Sequence, residues 1–540
     1  MLIAAALNVV FVLYLKTFVD NLIDIRGFHY TLLSMFLALI FLNVGMVMSW
    51  FIVDYTLELL KRKAQVSLWS VMYRKLVECP QKKLDEVTPG EYMSKILSDT
   101  GFVSSIIGAF LPALIVNATQ FSSNIIAAAL LSPVLTLAIS LSIPLYFFLY
   151  TRQSKYMVSS TADERKAYGG LTESLRVKVE AIRTVKNLNV RKKIAGSFDA
   201  DADSWYVKIK KVLFVEKRYA LSVNFLRNII PIIILGIGIY LTALTLISVG
   251  TLVAFFYFSL SFFNPLIVMS TDLGSLSQAV SPIQRINSVL TLPSEESGQK
   301  EIETIKDVYI QDVSFYYDHQ PALCKIELKI LKGEKVAIVG QSGSGKTTLL
   351  SLINRIYDPC EGEILFNGIR TREYDLESLR ENTMLVTSKD MLFSGTIANN
   401  ISLSDNYPKE ELIRAAEIAG ITEDSLTLEE SIGPGTREVS EGQKQRICLA
   451  RAILRKPEVL LLDEALSAID SRLEGKIMTK LLKEFSDKTI IVVSHRLSTI
   501  VPMDRILVMK EGRVLADGKF EELSNSCQEF TSLMKRQIVQ

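Results

Sequence analysis

The sequence predicts two domains of different class in one chain: an α-helical membrane domain followed by an α/β domain. Three observations carry this. Six long apolar runs fall within residues 1 to about 285 of the 540, each close to the ~20 residues that a bilayer-spanning helix needs. Further on, a short apolar strand, Lys335 to Val339, runs into a glycine-rich loop and then a leucine-rich helix. A second apolar strand, Val459 to Leu462, ends on Asp463 and Glu464, as a buried parallel strand with polar residues at its carboxyl end would.

Composition excludes several classes. A net charge of +2 gives no global case for a nucleic acid partner. The five cysteines, Cys79, Cys324, Cys360, Cys448 and Cys527, include no C-x-x-C pair, which speaks against a disulfide framework or a zinc site. Only His29, His319 and His495 are available as imidazoles, too few for a histidine-rich metal centre. The first apolar run, Leu2 to Val19, lacks a basic leader and a small-residue cleavage site. It reads as a membrane helix, with no peptidase domain expected before it.

The spans are expected near 2–22, 31–57, 103–130, 133–151, 222–247 and 250–271, the third and fourth joined by the hairpin Leu131-Ser132-Pro133. Charge sets their orientation. The stretch from 58 to 100 carries Lys61, Arg62, Lys63, Arg74, Lys75, Lys82, Lys83 and Lys95, and that from 152 to 218 carries more, whereas the other loops offer only Arg26. The positive-inside rule then places both long loops and both termini in the cytoplasm. Both loops keep helical periodicity, so the spans are expected to continue as cytoplasmic extensions. Each loop would end in a short helix that touches the soluble domain, with Pro89 to Asp99 and Arg183 to Ser197 as candidates.

Polar residues within the spans are few: Asn117, Gln120 and Asn124, then Asn224, Arg227 and Asn228, then Asn264 and Asp272. Polar groups are costly in lipid and should face the bundle interior. Singly, each is expected to make an interhelical hydrogen bond, with Arg227 snorkelling to the interface; together they would line a cavity. The aromatic run Phe255-Phe256-Tyr257-Phe258, with Phe262 and Phe263, is expected to pack and to meet lipid.

A polar break, Pro293 to Gly298, separates a membrane domain at 1–292 from a soluble domain at 299–540. The loop after the first strand reads Gly340, Gln341, Ser342, Gly343, Ser344, Gly345, Lys346, Thr347, Thr348, which is G-x-x-x-x-G-K-[ST] in its required strand-loop-helix setting. Its backbone N–H groups can close around phosphate oxygens, and the following helix adds a positive dipole end. Lys346 would reach the β- and γ-phosphates, and the Thr347 hydroxyl would bind Mg²⁺. Asp463 would hold the same ion, and Glu464 would polarise a water as general base.

Downstream of this loop, Ser440, Gly442 and Gln443 stand in a Ser-x-Gly-Gln segment just ahead of the Asp463-Glu464 strand. Ser467-Ala468-Ile469-Asp470 follows that strand, and Thr489 to Ser494 ends at His495. In this frame the chain resembles ATP-binding-cassette (ABC) transporters, and with six preceding spans it resembles a half-transporter of the exporter type. The resemblance implies an α/β P-loop NTPase domain with the family's helical subdomain, working on ATP with Mg²⁺. It implies that Tyr317, with Tyr316 a near rival, stacks on adenine and that His495 meets the γ-phosphate. Ser440, Gly442, Gln443 and Asp470 would act on ATP held by a second subunit. One phosphate loop and one signature per chain then imply a dimer, a homodimer being favoured and a heterodimer with a second half-transporter left open. The expected function is ATP-driven export of amphipathic or hydrophobic cargo, whether peptide, drug or lipid, across a bacterial plasma membrane. A regulatory module that does not pump and a siderophore-type importer on the same fold are the alternatives.

Three positions depart from the family pattern. Ser388 stands where a glutamine normally touches Mg²⁺ and links the site to the membrane helices; its side chain is too short for that contact without a bridging water. Pro434 replaces a glutamate in the segment before the signature. Glu441 replaces the signature's first glycine and is expected to point away from ATP.

Overall fold

The computed structural model describes residues 2–23, 29–276, 279–318, 320–403, 405–423, 426–433 and 436–538. Arg26 and Pro434 lie outside them. Two compact units emerge: Met1–Val77 with Thr88–Thr291, and Glu78–Val87 with Leu292–Gln540.

The first unit is all helical. Among the described residues it has six apolar helices long enough to cross a membrane. They are α1 (Leu2–Ile23), α2 (His29–Val77), α3 (Pro89–Leu131), α4 (Pro133–Gln153, continuing helically to Glu180), α5 (Arg191–Ala243) and α6 (Val249–Ser270). Ser132 separates α3 from α4 because its extended backbone breaks the helix and its hydroxyl caps the next one at Leu135 N. Two π-helical stretches, Lys95–Asp99 and Ile106–Phe110, interrupt α3. α5 is 53 residues long and contains Pro231.

Aromatic residues build this unit's core. Phe255, Phe258, Phe262 and Phe263 are fully buried with Tyr146, and their rings meet edge to face at 5.4 to 5.8 Å, the geometry that ring quadrupoles favour. Asn124 is buried and accepts a hydrogen bond from Asn8 Nδ2 at 3.1 Å, so it ties α1 to α3. Asn224, Arg227 and Asn228 are exposed on α5, and Asn264 is exposed on α6. Asp99 is buried in the first π-helical stretch, where it accepts two hydrogen bonds of 2.7 Å from Arg285 on the helix Val280–Leu290.

Among the described residues the second unit holds two large sheets and a two-stranded one that pairs Gly395–Thr396 with Ser431–Ile432. Strands β1 (Asp307–Tyr317), β2 (Gln320–Leu331), β4 (Glu361–Phe366) and β5 (Ile369–Arg370) form an antiparallel sheet in the order β2-β1-β4-β5. The larger sheet contains β3 (Lys335–Gly340), β6 (Thr383–Thr387), β7 (Val459–Asp463), β8 (Thr489–Val493), β9 (Arg505–Lys510) and β10 (Arg513–Gly518), in the order β10-β9-β3-β8-β7-β6. All neighbours pair in parallel except β9 and β10.

Strand alternation explains why β3, β7 and β8 are continuous apolar runs. Ala337, Val339, Leu460, Leu462, Ile490 and Val492 face one core cluster. Val336, Ile338, Val459, Leu461, Ile491 and Val493 face the other. Both faces are dry, so the strand interiors are apolar and only the ends carry Lys335, Asp463 and Thr489, and each large aliphatic side chain contributes roughly 1.5–3 kcal/mol by burial. The first cluster also takes in Ile397, Ile401, Ala415, Ala416 and Ile447 from Ile397–Ser402, Lys409–Ile418 and Glu441–Arg455, which make up a helical subdomain.

The segment that packs with this unit is Glu78–Val87, ahead of the Pro89–Asp99 stretch that sequence singled out. The reason is local. Thr88 caps a helix that starts with Pro89 at its first position, so Pro89–Asp99 begins α3 and belongs to the membrane unit. The short helix Gln81–Leu84 lies in the segment that does pack with this unit, its Lys82 over the Phe315 ring.

Candidate functional site

Parallel pairing brings the predicted residues to one sheet edge. Val493 stands level with Ile338 and Asp463, and Thr387 is also level with Asp463. The carboxyl ends of β3, β8, β7 and β6 therefore carry, side by side, the Gly340 loop, Ser494-His495, Asp463-Glu464 and Ser388. Ser388 N donates to Asp463 O at 3.2 Å and Glu464 N to Val493 O at 3.1 Å.

The loop Gly340 to Thr348 is shaped for an anion. Gly345 has φ +97°, and a Cβ there would lie 2.6 Å from Ala322 O, so only glycine fits this turn into the helix Lys346–Ile353. The buried Ser344 hydroxyl has no hydrogen-bond partner among the described residues, as suits a donor kept for a ligand oxygen. Lys346 is buried and its ammonium donates to Gly340 O at 3.0 Å and Gln341 O at 2.8 Å. Burial holds its pKa below the usual lysine range, while Glu464 and Asp463 pull it back up. Ser342 and Gly343 complete the turn, and Gly343 is left-handed.

Asp463 is buried at the end of β7. Desolvation raises its carboxyl above the ordinary aspartate range, against a hydrogen bond from Thr347 that favours the charged form. A buried carboxylate joined to a hydroxyl is a hard-oxygen donor pair that fits Mg²⁺. Lys389 also acts on Asp463 electrostatically; sequence reasoning missed it because it fixed on Ser388 alone.

Glu464 has φ +49°, a left-handed conformation that costs a non-glycine residue about 1 kcal/mol or more. Its Oε1 lies 3.1 Å from His495 Nε2. Both side chains are nearly half exposed, open to a ligand and its water. Behind them is a cavity of about 230 Å³ lined in part by Ser467, Glu474, Arg496 and Thr499.

Tyr317 closes the other side. It is exposed, its hydroxyl lies 3.3 Å from Thr348 Oγ1, and its ring meets Phe315 edge-on at 5.0 Å. An exposed ring braced from behind and set beside a phosphate loop offers a stacking face for a base.

Ser440, Gly442 and Gln443 start the helix Glu441–Arg455. Ser440 Oγ accepts from Gln443 N while Gln443 Oε1 accepts from Ser440 N, a reciprocal capping box. A Cβ on Gly442 would lie 2.9 Å from Ala468 O, so the segment presses on the Ser467–Asp470 loop. Glu441 is exposed and pairs with Lys444 at 3.4 Å. Asp470 caps the helix Ser471–Glu484 through Leu473 N.

Two residues that sequence reasoning passed over hold that loop. Buried Gln445 donates to Ser467 Oγ at 3.2 Å and accepts from Ala468 N at 3.0 Å. Arg496 donates to Ser467 O at 2.7 Å and also reaches Ile469 O and the buried Glu474. Their position one turn after the signature, and next to His495, was the available signal.

Comparison with known proteins agrees with this architecture. Residues 1–266 match the family described as "ABC transporter transmembrane region" and residues 323–467 the family described as "ABC transporter". An ATP-dependent lipid A-core flippase of Mannheimia succiniciproducens is 30% identical over 502 residues, covering 90% of this chain and 85% of the relative. The chain belongs to the ABC transporter family. A lipid A-core flippase of Vibrio vulnificus is 28% identical over 96% of this ABC transporter and 92% of its own length. The toxin RTX-I translocation ATP-binding protein of Actinobacillus pleuropneumoniae is 33% identical over 73% of this chain and 57% of its own. In fold, the chain is similar to a bacterial Atm1-family ABC exporter solved with ATP bound, at a TM-score of 0.81 and 22% identity, over 99% of this chain and 96% of that one. This ABC transporter thus fuses a six-helix membrane domain to an ATP-hydrolysing domain.

Proposed function

We propose that the chain is half of an ATP-driven exporter of amphipathic, lipid-like cargo. The observation that carries it is the meeting of Lys346, Thr347, Asp463, Glu464 and His495 at one sheet edge. Lys346, Ser344 and the loop N–H groups would bind the ATP phosphates, with Tyr317 under the adenine. Thr347 and Asp463 would hold Mg²⁺, which when bound neutralises phosphate charge. Glu464 takes the proton of the attacking water, and His495 orients Glu464 and meets the γ-phosphate.

Ser440 and Gly442 begin a helix whose N-terminal N–H groups can meet a phosphate of a second subunit. The active unit is then a dimer, with both long basic loops and both ATP-binding domains in the cytoplasm. That two relatives are named lipid A-core flippases supports an amphipathic lipid as cargo.

Reconstitution of the purified chain alone tests this. Inside-out proteoliposomes are expected to translocate a fluorescent lipid probe on addition of ATP and Mg²⁺, and Glu464→Gln vesicles to stay silent. Equal flipping by both would refute the pump; ATPase activity only after adding a second half-transporter would replace the homodimer with a heterodimer.

A further inference from the structure

One side-chain chain leads from the nucleotide site to the segment that joins two membrane helices. Asp85 follows the short helix Gln81–Leu84, within the stretch Glu78–Val87 that interrupts the membrane unit between Val77 and Thr88. Its Oδ2 accepts a hydrogen bond of 2.6 Å from the Tyr357 hydroxyl. The Tyr357 ring lies perpendicular to that of Tyr317, with centroids 5.7 Å apart at 90°, and also touches Phe315 at 5.4 Å. Lys82 of the same segment sits over the Phe315 ring at 5.3 Å.

We propose that Tyr357 is a positioning residue that links adenine stacking on Tyr317 to Asp85, and so to the ends of α2 and α3. The relay rests on the reading of Tyr317 as the adenine platform.

The physical case has three parts. A hydrogen bond to a carboxylate is directional and about twice as strong as a neutral one, so Asp85 fixes the rotation of the Tyr357 ring. The edge-on contact then makes the angles of the two rings interdependent. A base stacked on Tyr317 selects one ring angle, and that choice reaches Asp85 without passing through the phosphates. Burial, and next the Asp85 hydrogen bond, push the Tyr357 hydroxyl well above the ordinary tyrosine range, so it stays a donor. The strand end at Ser388 carries only a short side chain, which leaves the adenine side as a built route to the membrane helices.

The chain supplies its own reporter. Its three tryptophans are Trp50, Trp69 and Trp205, all in the membrane unit, while ATP would bind the other. The experiment measures ATP affinity by equilibrium binding and the ATP-induced change in tryptophan fluorescence, on the full chain in lipid nanodiscs. Tyr357→Phe keeps the ring and removes the hydroxyl. It is expected to change ATP affinity less than about twofold and to reduce the fluorescence response about fivefold or more, as loss of a hydrogen bond to a charged group can. Asp85→Asn, which keeps an acceptor, should retain the response, and Asp85→Ala should lose it.

A full response in Tyr357→Phe, with Tyr317→Ala still weakening ATP binding, would overturn the relay alone. If Tyr317→Ala binds ATP as well as wild type, the adenine platform fails and the relay fails with it.

Discussion

His495 Nε2 lies 3.1 Å from Glu464 Oε1, across the ends of the neighbouring parallel strands β8 and β7. The contact sets the carboxylate's direction from a backbone that is itself left-handed. Glu464→Gln keeps that shape and removes the proposed base. Its steady-state phosphate release is expected to fall by about 10²–10⁴-fold, the range for loss of a positioned general base. Equilibrium ATP binding should persist, and a variant that hydrolyses normally would reassign the base.

The signature segment contains one position that tolerates change and one that does not. Glu441 is exposed and paired with Lys444, an interaction of about 0–1 kcal/mol. Glu441→Ala should therefore keep ATPase activity within about twofold. Gly442→Ala would put a methyl 2.9 Å from Ala468 O; overpacking of this kind costs about 1–3 kcal/mol. ATPase assays on both variants should separate them, and a strong effect at Glu441 would show that its charge reaches the nucleotide.

Glu474 is 2% exposed and bonds Arg496 and Thr499. Arg496→Met would leave that carboxylate buried without its cation, a loss on the order of 3 kcal/mol. Thermal unfolding in detergent should show a clear drop in Tm. Adding Glu474→Gln should restore much of it, because the amide can keep the Thr499 bond without a charge.

Cys448 and Cys360 should differ in reactivity. Burial pushes the Cys448 thiol from 9.0 up to about 11, so about one part in a thousand is thiolate at pH 8, and only the thiolate reacts. Cys360 is exposed. Mass spectrometry after brief maleimide treatment at pH 8 should find Cys360 modified and Cys448 intact. The raised value also has a sign. The folded state favours the protonated thiol, a contribution complete below the unfolded pKa and lost as pH rises through about 11.

Much of the site was legible because its residues act in fixed local frames. A glycine-rich turn between strand and helix, and carboxylates at the end of a dry strand, can be read one segment at a time. Gly340 to Thr348, Asp463 and Glu464 are of this kind. Tyr357 and Asp85 are 272 positions apart and meet only through tertiary packing, so no local pattern marks them. The segment Glu78–Val87 escaped notice for a different reason: the familiar pattern just after it, at Pro89–Asp99, codes for a helix start, and the docking residues precede the cap. Asn124 was legible as a maker of an interhelical hydrogen bond, but its partner Asn8, 116 positions away on another helix, was not.

Pro231 in α5 withholds the N–H that would bond the Arg227 carbonyl one turn back, beside Asn224 and Asn228. The helix runs on from there to Arg191, roughly 60 Å at the usual rise per residue. A bend of about 10° at such a notch would sweep the far tip sideways by roughly 10 Å along this length. Were the helix to hinge there, the proline would be the fulcrum of a long lever.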